Sequence, residues 1–182
     1  MRYDIHTTSD RDGNQRGFTI VELLVVIVVI GILAAITIVS YNGIQDRGRI
    51  VKIQADISQL NTAILSARAQ TGKALGAITG SFITVLGCST KVDGTNLATL
   101  PTSDNCWTQY NSALDKISIA SSMNVRGLLD PWGRPYSINE NETESGGCTK
   151  DAIGAFTQPF ITGWQNLYPG TTFLVENSAP GC

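Results

Sequence analysis

The chain has 182 residues, 13 Lys and Arg against 15 Asp and Glu for a formal charge of -2, one histidine and four cysteines. That length supports one modest core beside any membrane segment, and basic residues this thinly spread exclude a broad nucleic-acid footprint. The absence of CxxC spacing argues against zinc, and the absence of a nucleophile elbow, a phosphate loop or a cluster of histidines and acids argues against an enzyme.

Residues 1–17, MRYDIHTTSDRDGNQRG, are polar throughout, with Arg2, Arg11 and Arg16 balanced by Asp4, Asp10 and Asp12 and the lone His6 among them. Next come 22 residues, Phe18 to Val39, in which Glu22 is the only charge. As a helix this run is roughly 33 Å long against a hydrocarbon core of about 30 Å. A lone strand cannot satisfy its backbone in lipid, so the run reads as a spanning helix despite its many Val and Ile. An ordinary secretory signal puts its apolar stretch before the cut, whereas here a cut at "LAA" would discard the membrane segment and a cut before Phe18 would keep it. Arg16 beside the run favours a cytoplasmic N-terminus. A carboxylate placed in hydrocarbon costs about 2.5–3.5 kcal/mol, so Glu22 calls for a partner. The expected partner is an amine: that of Phe18, four residues back on the same helix face, or the Phe18 amine of a neighbouring chain.

Gly17-Phe18-Thr19-Ile20-Val21-Glu22 followed by an apolar helix resembles the class III signal of type IV pilins and type II secretion pseudopilins. The resemblance implies that a prepilin peptidase cuts between Gly17 and Phe18, that the Phe18 amine is methylated, and that Glu22 is the family's assembly acid. It implies as partners other pilin subunits in a homopolymer, the peptidase, an inner-membrane assembly platform and minor pilins, with nucleic acid only for a DNA-uptake pilus. It also implies a single-pass cell-membrane precursor that becomes an extracellular or periplasmic filament. Many of these proteins carry a proline near the far end of the apolar run, where this chain has Val39.

Beyond the run, Ile50, Ile53, Ile57, Leu60, Ile64 and Ala67 recur at steps of three and four, which lays an apolar stripe along one helix face. Gly72 and Lys73 make a stop. The expected organisation is a cleaved leader (1–17), a transmembrane half (18–39) and an amphipathic half (40–72) of one spine helix, and an extracytoplasmic head (73–182). The head offers β-prone pieces at 81–86, 134–139 and 171–176, and a short helix behind Asp104 with Trp107, Asn111, Leu114 and Ile117 on one face. The fold class is therefore α+β, a long helical spine on a small antiparallel sheet, type IV pilin-like by the resemblance.

Cys88, Cys106, Cys148 and Cys182 all follow the membrane run, as an oxidising extracytoplasmic face requires. Four cysteines allow three pairings, and chain order suggests Cys88 to Cys106 and Cys148 to Cys182. Asp130, Pro131, Trp132, Gly133, Pro135 and Tyr136 form a turn whose aromatic rings can pin it to a core. Their string is also similar to the Asp-Pro-Trp-Gly-x-Pro-Tyr motif of the major pseudopilin, a family whose head binds calcium in a later Asp-Gly-rich loop. Here the corresponding stretch lacks that repeat and offers Glu140, Glu142, Glu144 and Asp151, which suit calcium ligands and a solvated loop equally. Asn141 opens an Asn-x-Thr sequon. The reading is a precursor filament subunit, for adhesion, motility, DNA uptake or secretion. The competing one is a single-pass anchored binding domain that does not polymerise.

Overall fold

The computed structural model describes residues 17–81, 83–84, 86–141, 149–163 and 166–175, with the side chains of 38–42 left out of the description. The chain divides into two compact units, Met1–Ile44 and Gln45–Cys182. The first helix, α1 (Ile20–Thr71), has 52 residues and contributes to both.

In the first unit, α1 has no polar face. The window Ile20–Thr37 has a mean hydropathy of 3.0, and none of it is buried. Among the described residues this is the one helix long and apolar enough to cross a membrane. Leaving so many Leu, Ile and Val side chains in water would forfeit about 1.5–3 kcal/mol for each, so the surface requires an apolar partner.

In the second unit, the step-of-three-and-four pattern produces a buried face. Ile53, Ile57, Leu60, Ala63, Ile64 and Ala67 of α1 are all buried, while Ile50 at the start of the stripe is half-buried. The helix ends at Thr71, and the Gly72 N–H closes onto the Arg68 carbonyl at 2.8 Å. Two short helices follow, α2 (Leu75–Thr79) and α3 (Leu86–Ser89), then a 3-10 turn at Leu97–Thr99 and α4 (Asn105–Ser121). Asp104 caps α4 by accepting the Cys106 N–H at 2.8 Å. Strands β1 (Ser137–Asn139), β2 (Asp151–Gly154) and β3 (Phe173–Val175) form an antiparallel sheet in that order, with Asn139, Ala152 and Leu174 in one cross-strand row. The core joins Ile57 and Leu60 of α1 to Tyr110, Leu114 and Ile117 of α4 and to Ile138, Ile153 and Val175 of the sheet. A long helix on a small antiparallel sheet is the α+β architecture expected.

Four details differ from the expectations. Within 81–86 the described residues form no named strand; Ile83 makes an isolated bridge to Asn139, and Leu86 already starts α3. β2 lies in the stretch read as an acidic loop. The strands at 134–139 and 171–176 are three residues each. On α4 the buried face is Cys106, Tyr110, Ala113, Leu114 and Ile117, so Trp107 is half-buried and Asn111 exposed.

Candidate functional site

Thr19 and Glu22 form a reciprocal cap at the start of α1. The Glu22 N–H donates to Thr19 Oγ1 at 3.2 Å, while Glu22 Oε2 accepts the Thr19 N–H and hydroxyl, each at 2.8 Å. This is the Thr-x-x-Glu capping box, in which side chains satisfy donors that the first helical turn leaves open. Phe18 precedes the helix, so the expected four-residue spacing of Phe18 and Glu22 along one helix face is corrected: the group Glu22 meets is Thr19. Gly17 and Phe18 are exposed, and a Cβ built on Gly17 would meet nothing within 4 Å. The fold therefore places no demand for glycine at 17. Within an uncovered apolar surface, the first turn carries one carboxylate held by neutral donors.

In the second unit, the turn residues form a buried ion-pair knot whose centre is Arg134. Asp130 Oδ1 accepts the N–H groups of Trp132 and Arg134 at 2.9 and 2.8 Å, and Oδ2 accepts Arg134 Nε at 2.7 Å. The rest of the Arg134 fork donates to the carbonyls of Phe156 and Thr157 at 2.9 and 2.8 Å and to Gln158 Oε1 at 2.8 Å. Arg134 is only 1% exposed, so every one of these bonds replaces a lost water. Trp132 roofs the pair, with the guanidinium carbon 4.8 Å from its ring centroid and Tyr168 5.4 Å away on a tilted ring. The turn needs Gly133 because its φ is +75°, a conformation costly for residues with a Cβ. Burial pushes the Asp130 carboxyl above its ordinary value, and the charge and hydrogen bonds of Arg134 oppose that shift. Tyr136 closes the knot onto α1: its hydroxyl donates to Asp56 Oδ2 at 2.6 Å, and Lys52 bonds both Asp56 and the Leu129 carbonyl. Burial drives the Tyr136 phenol well above its usual range, and the Asp56 carboxylate adds to this.

Cys88 and Cys106 are joined by a disulfide that fastens α3 to α4. Gly87 belongs to that junction, because a Cβ there would lie 2.7 Å from the Asn105 carbonyl carbon and 2.8 Å from the Cys106 nitrogen. Cys148, Cys182, Glu142, Glu144 and leader residues 1–16 lie outside the described residues. The other two calcium candidates do not sit on a solvated loop. Glu140 is fully buried and accepts the N–H of Thr84 at 2.7 Å and its hydroxyl as well; Asp151 is fully buried and paired with Arg68 on α1. Among the described residues there is no group of three or more His, Cys, Asp and Glu side chains that could hold a metal.

Sequence reasoning missed Thr19, Arg134 and the Arg68–Asp151 pair. The first had a signal, since Thr-x-x-Glu ahead of an apolar run is a capping pattern. The Asp-to-Arg spacing of four in 130–134 hinted at the second. Nothing local linked residue 68 to residue 151.

The description "Prokaryotic N-terminal methylation motif" matches residues 12–38, the stretch that holds Gly17, Phe18 and Glu22. The type IV major fimbrial protein FimA of Dichelobacter nodosus is 42% identical over 50 residues, 28% of this chain and 32% of that protein. A fimbrial protein of Pseudomonas aeruginosa is 43% identical over 53 residues, 29% of this chain and 34% of that protein. Over its first third, then, the chain is similar to type IV pilins and to a type II secretion pseudopilin. The pseudopilin side of the family is represented by type II secretion system core protein G of Klebsiella michiganensis, 41% identical over 54 residues, 30% of this chain and 38% of that protein. The chain thus matches about a third of the length of its pilin relatives. No solved structure matches it.

Proposed function

We propose that this chain is the precursor of a pilin-like filament subunit, a structural protein without catalytic activity. In this reading residues 1–17 are a leader, prepilin peptidase cuts between Gly17 and Phe18, and the new Phe18 amine is methylated. Residues 18–39 hold the subunit in the membrane, 40–72 complete the spine, and 73–182 are the extracytoplasmic head. Polymerisation transfers the apolar surface of α1 from lipid to neighbouring subunits, with Glu22 of one chain compensating the Phe18 amine of another. Peptidase, assembly platform and minor pilins are the partners, and the product is a fibre at the cell surface or across the periplasm. The observation that carries this is the wholly uncovered apolar window Ile20–Thr37 with a single carboxylate in its first turn. A membrane anchor could close the same helix cap with a neutral glutamine and avoid the about 2.5–3.5 kcal/mol that an acid costs in hydrocarbon, whereas an assembly that must neutralise an amine needs the charge. An unconstrained Gly17 supports the same reading, since its small size then serves a protein that reads the site rather than the fold.

The test combines mass analysis with imaging. Protein from native membranes should begin at a methylated Phe18, and Glu22→Ala should insert and mature normally yet yield few filaments in sheared surface fractions. A mature chain that retains Met1, or one cut after Ala34 or Ala35, would overturn the reading. Wild type forming no fibre with its machinery present would favour a solitary anchored binding domain.

A further inference from the structure

The outward face of the sheet is hollow along its middle strand. Register places Asn139, Ala152 and Leu174 in one row and Ser137 beside Gly154 two residues on, while Ile138, Ile153 and Val175 face the core. Alternation therefore leaves β2 only Ala152 and Gly154, the two smallest residues, on its outward side. Leu167 stops one end of this trough: it bridges Phe156, and a Cβ on Gly154 would lie 2.6 Å from its Cδ1. What remains is a cavity of about 420 Å³ walled by Asn139, Ala152, Leu167 and Leu174, with the exposed Thr149 and Thr172 also on its lining. Asn139 is the anomaly on its floor. The residue is 2% exposed, yet its Oδ1 has no hydrogen-bond partner, and no hydrogen bond among the described residues uses its side-chain nitrogen. A buried carboxamide left unpaired destabilises a fold, and an apolar strand former such as Val would carry no such penalty.

We propose that the trough is a binding site for a small neutral cyclic amide, held by paired hydrogen bonds to the Asn139 carboxamide with its apolar ring against Ala152, Leu167 and Leu174. The carboxamide offers an acceptor and a donor side by side, and a cis amide presents the matching donor and acceptor on one edge. A linear trans amide points the two in opposite directions, so it satisfies only one of them. Among the described lining residues there is no carboxylate to attract a cation, and the one charged side chain, Lys150, is already engaged, so the walls call for a neutral molecule. The volume falls within the roughly 300–1,000 Å³ usual for small-molecule sites, whose pattern of apolar walls and a few placed polar groups it shares.

The test is a ligand titration followed by amide NMR on the full chain in micelles. ε-Caprolactam should shift the Asn139, Ala152 and Leu174 amides saturably and leave those of α4 in place. Its isomer N-methyl-2-piperidone, which has no N–H, should bind about tenfold more weakly, and so should N-propylpropanamide, a trans amide with the same number of heavy atoms. Asn139→Val should erase the preference for caprolactam over its isomer, and Ala152→Leu, which fills the trough, should abolish binding. No saturable shift in the wild type, equal affinity for the two isomers, or a preference that survives Asn139→Val would overturn the site. Equal affinity for the linear amide would refute the cyclic class. Should Asn139→Val fail to fold, the wild-type comparison of the isomers and Ala152→Leu decide: a tenfold gap lost with the trough supports the site, and binding retained in Ala152→Leu refutes it.

Discussion

Two side chains, Thr19 and Arg134, show how a single residue sets the environment of a charge. Thr19 supplies neutral donors to Glu22, so Thr19→Val should free the Glu22 N–H, remove the hydroxyl donor to its carboxylate and cost the start of α1 about 1 kcal/mol. Faster amide exchange at Glu22 and Leu23, with Thr19→Ser near wild type, is the expected outcome. Arg134 is more consequential, because Arg134→Met would leave Asp130 buried without its opposite charge, holding only the backbone N–H groups of residues 132 and 134. The cost should be about 3–5 kcal/mol, read as a fall in the melting temperature of roughly 10 °C. Adding Asp130→Asn should recover part of it, and strict additivity of the two substitutions would refute the pairing.

At the level of elements, the disulfide and the glycine beside it govern how α3 meets α4. Replacing both Cys88 and Cys106 by serine removes a crosslink 18 residues apart, and urea titration should show a loss of about 3 kcal/mol. Gly87→Ala should also destabilise, by about 1–3 kcal/mol, since the atoms its Cβ would strike are backbone and cannot swing aside. This junction also explains what was and was not legible in the sequence. The stripe on α1 and the Asp104 cap of α4 are local patterns, and both were readable. The buried face of α4, however, is set by Cys106 bonding Cys88, which turns Trp107 partly outward. Leu86, at the end of the β-prone stretch, starts α3 because packing against α4 outweighs local preference there. β2 was hidden because its first residue, Asp151, is acidic, and only a distant arginine makes its burial tolerable. Glu22 was legible as a type, while its bond to Thr19 depended on the helix starting at Ile20.

On the scale of the molecule, the two compact units have different needs. Gln45–Cys182 contains its own core, disulfide and ion pairs, so expressed alone it should remain in solution and melt cooperatively. The full chain should instead sediment with membranes, and a soluble full chain would contradict the role given to Ile20–Thr37. The exposed side of that segment and the buried side of Ile53–Ala67 lie on one helix, which is how a single element can serve two solvents.

The clasp between the knot and α1 has a mechanical consequence. Lys52 and Asp56, one turn apart on the helix, grip Leu129 and Tyr136, the residues on either side of the turn at 130–135. Traction along the helix axis would therefore load both bonds side by side rather than peel them one after another. Bonds loaded in parallel share the tension and fail together, so the head should yield abruptly, at a rate set by the barrier to rupture rather than by equilibrium stability. Tyr136→Phe removes one strand of that grip while keeping the ring. Pulled by optical tweezers from residue 45 against residue 175, it should rupture at a lower force than wild type, and equal rupture forces would mean that tension leaves the helix by another route.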